Sequence, residues 1–246
     1  MKPTDVFSSK AEVYAKYRWS YSLEAIQEIF EITGANQKTT IADIGAGTGI
    51  LTREFVGKVK RIYAIEPNPE MRAIIEKEFE KYPSCTILAA QAEATTLASN
   101  SIDIITAAQA VHWFDPERAR AEFYRILKPG GWIVICRNYG NAPELGKALQ
   151  DAYPIETDTE ALMIGKSKPR SFYFGDGKFV RKEYSNRSQG SWEEFLGAIS
   201  TASYAPDVGS ALYEDFVKKA KSVFDEFSIN NVVDMSSVTE VYIGQI

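Results

Sequence analysis

Three ionisable side chains stand where apolar, strand-like stretches of the sequence end. Asp43 lies in the apolar stretch 40–44. Glu66 directly follows the stretch 59–65, and His112 comes just after a third apolar stretch. Open α/β sheets bind ligands at the carboxyl ends of their strands, so we expect these side chains at one site. The carboxylates can accept hydrogen bonds from hydroxyl groups, and a histidine whose pKa is near neutrality can remove a proton from an acceptor.

A glycine-rich turn separates Asp43 from a helix that is predicted to begin near Ile50. The turn contains Gly45, Gly47 and Gly49, whose backbone can adopt positive φ and lie against a ligand, and the helix points its N–H groups at the same place. No Gly-Lys-Ser/Thr follows, which excludes a P-loop, and Ile50 stands where a dinucleotide fingerprint has Gly or Ala. Because Asp43 would repel a pyrophosphate and attract an ammonium group, the turn favours a ligand with an amino-acid end and a nucleoside end.

The stretch 43–49 resembles the first motif of class I S-adenosylmethionine-dependent methyltransferases, D/E-x-G-x-G-x-G. Glu66 lies about 20 residues beyond the turn, where Rossmann-like units carry the acid that holds the ribose hydroxyls. The stretches 101–105 and 127–131 are similar to two further elements of the family, S-F-D-x-V/I and L-K-P-G-G. The run His112-Trp113-Phe114 resembles the type 11, small-molecule branch that includes trans-aconitate methyltransferases.

The resemblance implies S-adenosylmethionine as the cofactor and assigns roles to the residues at these strand ends. Gln91 replaces the family's usual aspartate beside the adenine, and an amide can still accept from the adenine amino group. The segment around Tyr17 and Arg18 resembles the part of the family that folds over the cofactor. His112 is implied as a catalytic or acceptor-contacting residue. The implied cofactor-binding residues are Tyr17, Arg18, Asp43, Gly45, Ala46, Gly47, Thr48, Glu66, Pro67, Met71, Gln91, Ala92, Glu93, Ala108, Gln109 and Trp113.

Alternating apolar strands and helices place these residues on a parallel sheet. The region 40–137 alternates strand and helix, which predicts parallel strands joined by helical crossovers. A last strand is predicted at 237–245, and the family's final two strands form an antiparallel end of the sheet. We therefore expect an α/β, Rossmann-like doubly wound, mostly parallel seven-stranded sheet with an antiparallel terminal strand and a helical cap insertion.

A single domain, residues 1–246, accounts for this pattern. We expect N-terminal helices over the cofactor at 1–36 and a cofactor-binding core at 37–138. A cap insertion is expected at 139–177, followed by the C-terminal end of the sheet at 178–246.

Composition narrows the class of protein further. The 246 residues carry a formal net charge of −5, and no block of lysine and arginine stands out, which disfavours nucleic-acid binding. Cys85 and Cys136 lie in apolar stretches, which favours buried thiols over a disulfide or a metal site. The sequence has neither an apolar leader nor a run of roughly 18 apolar residues. We expect a cytoplasmic protein, monomeric or homodimeric, that contacts no membrane.

The interpretation that fits these observations is methyl transfer to a small-molecule acceptor, with oxygen or carbon favoured as the accepting atom. A carboxylate acceptor would need an arginine, and Arg18, Arg137 and Arg170 are the candidates. The N/D-P-P-Y/F signature of some amino-group methyltransferases is absent, which disfavours amine acceptors of that type. Two alternatives remain, an NAD-dependent oxidoreductase and a non-catalytic protein that binds S-adenosylmethionine.

Overall fold

A computed structural model describes residues 8–154 and 168–246 of the chain. Its main feature is a seven-stranded sheet in the order β3-β2-β1-β4-β5-β9-β6. The strands are β1 (Thr40–Ile44), β2 (Arg61–Ile65), β3 (Cys85–Leu88), β4 (Ile102–Ala108), β5 (Leu127–Gly140), β6 (Phe179–Asn186) and β9 (Ser237–Gln245). Neighbours from β3 to β5 pair in parallel, whereas β9 pairs antiparallel with both β5 and β6. The predicted mostly parallel, seven-stranded sheet is therefore confirmed, with the last strand of the chain inserted antiparallel between β5 and β6.

Helices cover the sheet on both faces. They are α1 (Ala11–Tyr17), α2 (Leu23–Thr33), α3 (Thr52–Phe55), α4 (Pro69–Phe79), α5 (Pro116–Ile126), α6 (Pro143–Gln150), α7 (Trp192–Ser200) and α8 (Tyr213–Phe227). Short 3₁₀ helices occur at Ser8–Lys10, Val111–Trp113 and Arg170–Phe174, and β7 (Gln189–Gly190) pairs with β8 (Val233–Asp234). Among the described helices, none is long and apolar enough to cross a membrane.

The central strands are apolar on both faces because each face is buried. In β4, Ile104 packs with α2 and α3, while Ile105 packs on the other face with α5. Both side chains are buried, as expected for a parallel strand between two helical layers. The carboxyl ends of β1, β2 and β4 consequently open at one edge of a rigid core.

Local signals fix where several helices begin. The side chain of Asn68 accepts from the Met71 amide at 2.8 Å, so α4 begins at Pro69. Ser191 and Glu194 form a capping box at the start of α7. The helix α4 ends at Phe79, and the strand β3 ends at Leu88.

A separate helical layer lies beside the sheet. Leu145 of α6, Phe195 of α7 and Phe224 of α8 share one apolar cluster. The helix of the expected cap therefore packs against helices of the C-terminal region. Residues 155–167 of the predicted cap, and residues 1–7 of the predicted N-terminal part, lie outside the described residues.

Gly49 allows a test of the tight packing beneath the glycine turn. Its φ is +86°, and a Cβ added there would lie 2.8 Å from side-chain atoms of Ile75 and Phe79. We expect Gly49→Ala to lower the free energy of unfolding by about 2–5 kcal/mol, the combined cost of left-handed backbone and overpacking. Chemical denaturation measures this loss.

Gly57→Ala is the matched control. Gly57 has a similar φ of +79°, but nothing lies within 4 Å of an added Cβ. It should lose only about 1 kcal/mol, the cost of the left-handed conformation alone. Equal losses in the two variants would contradict the tight contact described for Gly49.

Candidate active site

A cavity of about 410 Å³ opens at the carboxyl ends of β1, β2 and β4. This first cavity brings together residues from strand ends that lie far apart in the sequence. Of the predicted cofactor-binding residues, it is lined by Asp43, Gly45, Ala46, Gly47, Thr48, Glu66, Pro67, Met71, Gln91, Ala92, Glu93, Ala108, Gln109 and Trp113.

Glu66 joins the end of β2 to the glycine turn. Its Oε2 accepts from the Gly47 amide at 2.8 Å, and its Oε1 accepts from the Asn68 amide at 2.9 Å. Burial raises the pKa of this carboxyl, and the two amide hydrogen bonds oppose that rise. Each carboxylate oxygen keeps a second lone pair, so Glu66 can accept two more hydrogen bonds from a ligand.

Asp43 lies deeper in the same cavity and is almost fully buried. Its Oδ2 accepts from the Thr52 hydroxyl at 2.6 Å, and its Oδ1 accepts from the Thr106 hydroxyl at 2.8 Å. Burial raises the pKa of Asp43, which the threonine hydrogen bonds oppose. A cationic ligand group would offset the cost of burying this charge.

Three amides of the glycine turn are already hydrogen-bonded within the protein. The amides of Gly45 and Ala46 both donate to the Ile65 carbonyl, at 2.9 and 3.0 Å. The Gly47 amide donates to Glu66. These three amides are therefore not free for a ligand, because the end of β2 and Glu66 already accept their hydrogen bonds. Gly45 instead permits close packing, since a Cβ there would lie 2.6 Å from the Ala110 Cβ.

The charges around the first cavity are predominantly negative. Asp43, Glu66, Glu93 and Asp115 line it, and Arg118 is the one cation of its lining among residues 8–154 and 168–246. The Thr48 hydroxyl is buried and finds no hydrogen-bond partner within the described parts of the chain. Such a lining disfavours a pyrophosphate and favours a ligand that carries hydroxyl groups and positive charge.

Tyr17 and Arg18 do not line the first cavity. The Tyr17 hydroxyl donates to Glu193 at 2.7 Å, and Arg18 Nη1 donates to the Thr201 hydroxyl at 3.1 Å. Both side chains line a second cavity of about 710 Å³, which lies between residues 17–19, α6 and α7. Because these partners lie more than 170 positions away in the sequence, no local pattern predicts this placement.

The first cavity is also lined by residues that the sequence motifs did not predict. Tyr14 and Tyr21, on either side of the end of α1, line the first cavity in place of Tyr17 and Arg18. The remaining additions are Ile50, Leu51, Asn68, Ala110, Phe114, Asp115 and Arg118. Most of these residues lie next to a motif residue in the sequence. Their position beside a motif was therefore the one sequence feature that could have predicted them as lining residues.

Gln109 directly follows β4 and has a left-handed backbone conformation, with φ of +53°. Its side-chain nitrogen donates to the Asn138 carbonyl at 2.8 Å, which ties the end of β4 to β5. The amide oxygen of Gln109 therefore faces a different direction from its nitrogen and can accept from a ligand.

His112 lies in the 3₁₀ helix Val111–Trp113 and is not among the residues that line the first cavity. Burial, and then the charges of Arg170 and Arg18, lower the pKa of His112 to about 4. The expectation of a pKa near neutrality is therefore wrong, because two nearby arginines and a dry environment disfavour the imidazolium. A neutral imidazole can hydrogen-bond to an acceptor, but it is a weak general base.

The sheet order, with one antiparallel strand among the described strands, is that of the Rossmann-like methyltransferase fold. Residues 42–135 match the family model described as the methyltransferase domain. The segment 42–135 of this chain is therefore similar to methyltransferase domains.

Individual relatives agree with this assignment. An uncharacterized methyltransferase of Mycobacterium bovis is 34% identical over 155 residues, which cover 61% of this chain and 61% of that protein. The match thus spans about three fifths of the relative's length. A protein from Anaeromyxobacter dehalogenans assigned as a type II methyltransferase shares the fold, with a TM-score of 0.61, 21% identity and coverage of 93% and 97% of the two chains.

A second solved structure with this fold is the geranyl diphosphate C-methyltransferase of Streptomyces coelicolor, in complex with S-adenosyl-L-homocysteine. It has a TM-score of 0.51 and 13% identity, with coverage of 90% of this chain and 75% of that chain.

The low pKa of His112 can be measured directly because the chain has a single histidine. We expect its imidazole NMR signals to titrate with a midpoint near pH 4. Between that pH and the ordinary value of about 6.5, the unfolded chain binds more protons, so His112 should make stability rise with pH in this window. The same signals in the urea-unfolded protein serve as the control. A midpoint near the ordinary value in the folded protein would contradict the described environment.

Proposed function

We propose that this protein transfers a methyl group from S-adenosylmethionine, bound in the first cavity, to a small-molecule acceptor at an oxygen or carbon atom. The observation that carries the proposal is the pair of buried carboxylates, Asp43 and Glu66, on either side of the glycine turn. Their charge and their remaining hydrogen-bond acceptors fit a cationic amino acid joined to a nucleoside.

Each end of the methyl donor has residues that suit its chemistry. Glu66 is placed to hold the ribose hydroxyls with the lone pairs that its two amide donors leave. Asp43 attracts the ammonium group, and the unpartnered Thr48 hydroxyl is available to the amino-acid end. Gln91 and Ala92 line the same cavity, and the family resemblance implies that they contact the adenine. When bound, S-adenosylmethionine supplies a methyl group on a positively charged sulfur.

The residues of this chain contribute alignment and exclusion of water. The aromatic side chains of Tyr14, Tyr21 and Trp113 line the first cavity. A methyl transfer needs the nucleophile in line with the bond that breaks, so a rigid, dry site lowers the barrier mainly by positioning.

The state of His112 restricts the acceptor. An imidazole whose pKa is about 4 does not take a proton from an alcohol effectively. This favours acceptors that are nucleophilic at neutral pH without losing a proton, and a carboxylate is one.

Two alternatives make different predictions. An NAD-dependent oxidoreductase would bind NAD in the first cavity, which its four carboxylates disfavour. A protein that binds S-adenosylmethionine without catalysis would keep the affinity of the first cavity and lack methyl transfer. A binding measurement with NAD distinguishes the oxidoreductase from the proposed methyltransferase. An assay of methyl transfer distinguishes the non-catalytic binding protein from it.

Calorimetric titration with S-adenosylmethionine, S-adenosylhomocysteine and NAD tests the proposal. We expect the first two to bind and NAD not to bind. Glu66→Gln should weaken S-adenosylmethionine by about 10- to 100-fold, since hydrogen bonds to a charged group are worth about 1.5–3 kcal/mol. Thermal unfolding without ligand shows whether the variant remains folded.

Glu76→Gln is the matched control, because Glu76 is an exposed residue of α4 outside the first cavity. It should leave the affinity for S-adenosylmethionine unchanged. Binding of NAD alone, or equal affinities for both variants, would refute the assignment of the first cavity.

A further inference from the structure

The second cavity has the size and lining of a small-molecule site. Its volume of about 710 Å³ falls within the range of about 300–1,000 Å³ that is usual for such sites. The walls are largely apolar, and include Leu145 and Leu149 of α6, and Phe195 and Ile199 of α7. An apolar molecular body would be buried favourably there.

Most hydroxyl groups of the second cavity are already used within the protein. The Tyr153 hydroxyl donates to the Ile199 carbonyl at 3.1 Å, and the Thr201 hydroxyl donates to the Ala198 carbonyl at 2.6 Å. The Tyr17 hydroxyl donates to Glu193. These groups therefore contribute little to the recognition of a polar ligand atom.

Arg18 is a positively charged residue in the lining of the second cavity, and some of its guanidinium N–H groups are available to a ligand. Its guanidinium donates to Thr201 through Nη1 and lies 5.3 Å from the centre of the Tyr14 ring. No carboxylate pairs with it in the described part of the chain. Asp234, the acid of the lining, is exposed and accepts from the Ser236 amide at 2.8 Å. A guanidinium without a carboxylate partner is suited to binding an anion.

Trp19 is a second hydrogen-bond donor among the residues that line the second cavity. It follows Arg18 directly, and its ring lies near Gly140 at the end of β5. The indole Nε1 is buried and finds no hydrogen-bond partner in residues 8–154 and 168–246. Because a buried donor without a partner costs free energy, an acceptor atom from a ligand would relieve that cost.

The two cavities are adjacent at the contact between Tyr14 and Arg18. Tyr14 lines the first cavity and Arg18 lines the second, and the guanidinium lies over the tyrosine ring. An anion held by Arg18 would therefore lie next to the cavity assigned to the methyl donor.

We propose, on the basis of the function proposed above, that the second cavity binds the methyl acceptor, a carboxylic acid with an apolar body. The carboxylate contacts Arg18 and the indole N–H of Trp19, and its hydrocarbon part lies against α6 and α7.

The carboxylate is also the accepting group. One of its oxygen lone pairs forms the new bond to the methyl carbon while the carbon–sulfur bond breaks, and that bonding pair passes to sulfur. The products are a neutral methyl ester and a neutral thioether, and no proton is released, so no general base is needed. Loss of the negative charge removes the attraction to Arg18, which favours release of the ester.

Calorimetry on the full chain, with and without S-adenosylmethionine, tests the acceptor class. The probes are octanoate and 3-phenylpropanoate, each compared with its methyl ester and the alcohol of the same skeleton. We expect at least one acid to bind, with its ester and alcohol about tenfold weaker or more. With labelled S-adenosylmethionine, the label should appear in the methyl ester.

Variants separate recognition by Arg18 from general effects. Arg18→Gln should weaken acid binding about tenfold or more and leave the ester unchanged, whereas Arg18→Lys should restore part of the affinity. Trp19→Phe should weaken the acid by a few-fold. Arg53→Gln removes a partly exposed arginine that pairs with Glu78 outside both cavities, and it should change nothing.

The outcomes distinguish the two proposals. Acid binding that depends on Arg18, together with ester formation, supports the inference. Failure of both acids to bind, affinity that Arg18→Gln leaves unchanged, or label found only in the alcohols overturns it, even if S-adenosylmethionine binds. If Arg18→Gln weakens S-adenosylmethionine as strongly as the acid, Arg18 belongs to the donor site and the inference is wrong. If S-adenosylmethionine does not bind, the function proposed for the first cavity fails, and the role of the second cavity as an acceptor site fails with it.

Discussion

The hydrogen bond from the Gly47 amide to Glu66 holds the site together. It joins the turn after β1 to the end of β2 across 2.8 Å, and the Asn68 amide supports the same carboxylate from the other side. A carboxylate at this depth is costly unless donors surround it. The shape of the turn, the start of α4 and the acidic character of the first cavity all depend on this one buried group.

The lining of the first cavity is distinguished by its negative charge. Glycine-rich turns before a helix often donate hydrogen bonds from their amides to phosphates. In this turn, three amides already donate to the Ile65 carbonyl and to Glu66. The side chains that line the cavity include four carboxylates, the Gln109 amide and several aromatic rings, with Arg118 as a cation. The same backbone turn can therefore serve an anionic ligand or a cationic one, depending on whether its amides are free or occupied.

The sequence was sufficient for the features that depend on neighbours along the chain. The order of strands, the acid after β2 and the capping box at Ser191 follow from local patterns, and the structure contains them. The positions of Tyr17 and Arg18 did not follow, because Glu193 and Thr201 determine them through contacts distant in sequence. The pKa of His112 could not be inferred either, since burial and the approach of Arg170 and Arg18 depend on the complete fold.

The segment 14–21 faces two ways. Tyr14 and Tyr21 line the first cavity, while Tyr17, Arg18 and Trp19, which lie between them in sequence, line the second. Eight consecutive residues thus contribute side chains to both cavities. If a ligand in one cavity moves this segment and so changes the affinity for a ligand in the other, thermodynamic linkage makes the effect equal in the opposite direction. A substitution that displaces the backbone of this short segment would therefore alter both cavities at once.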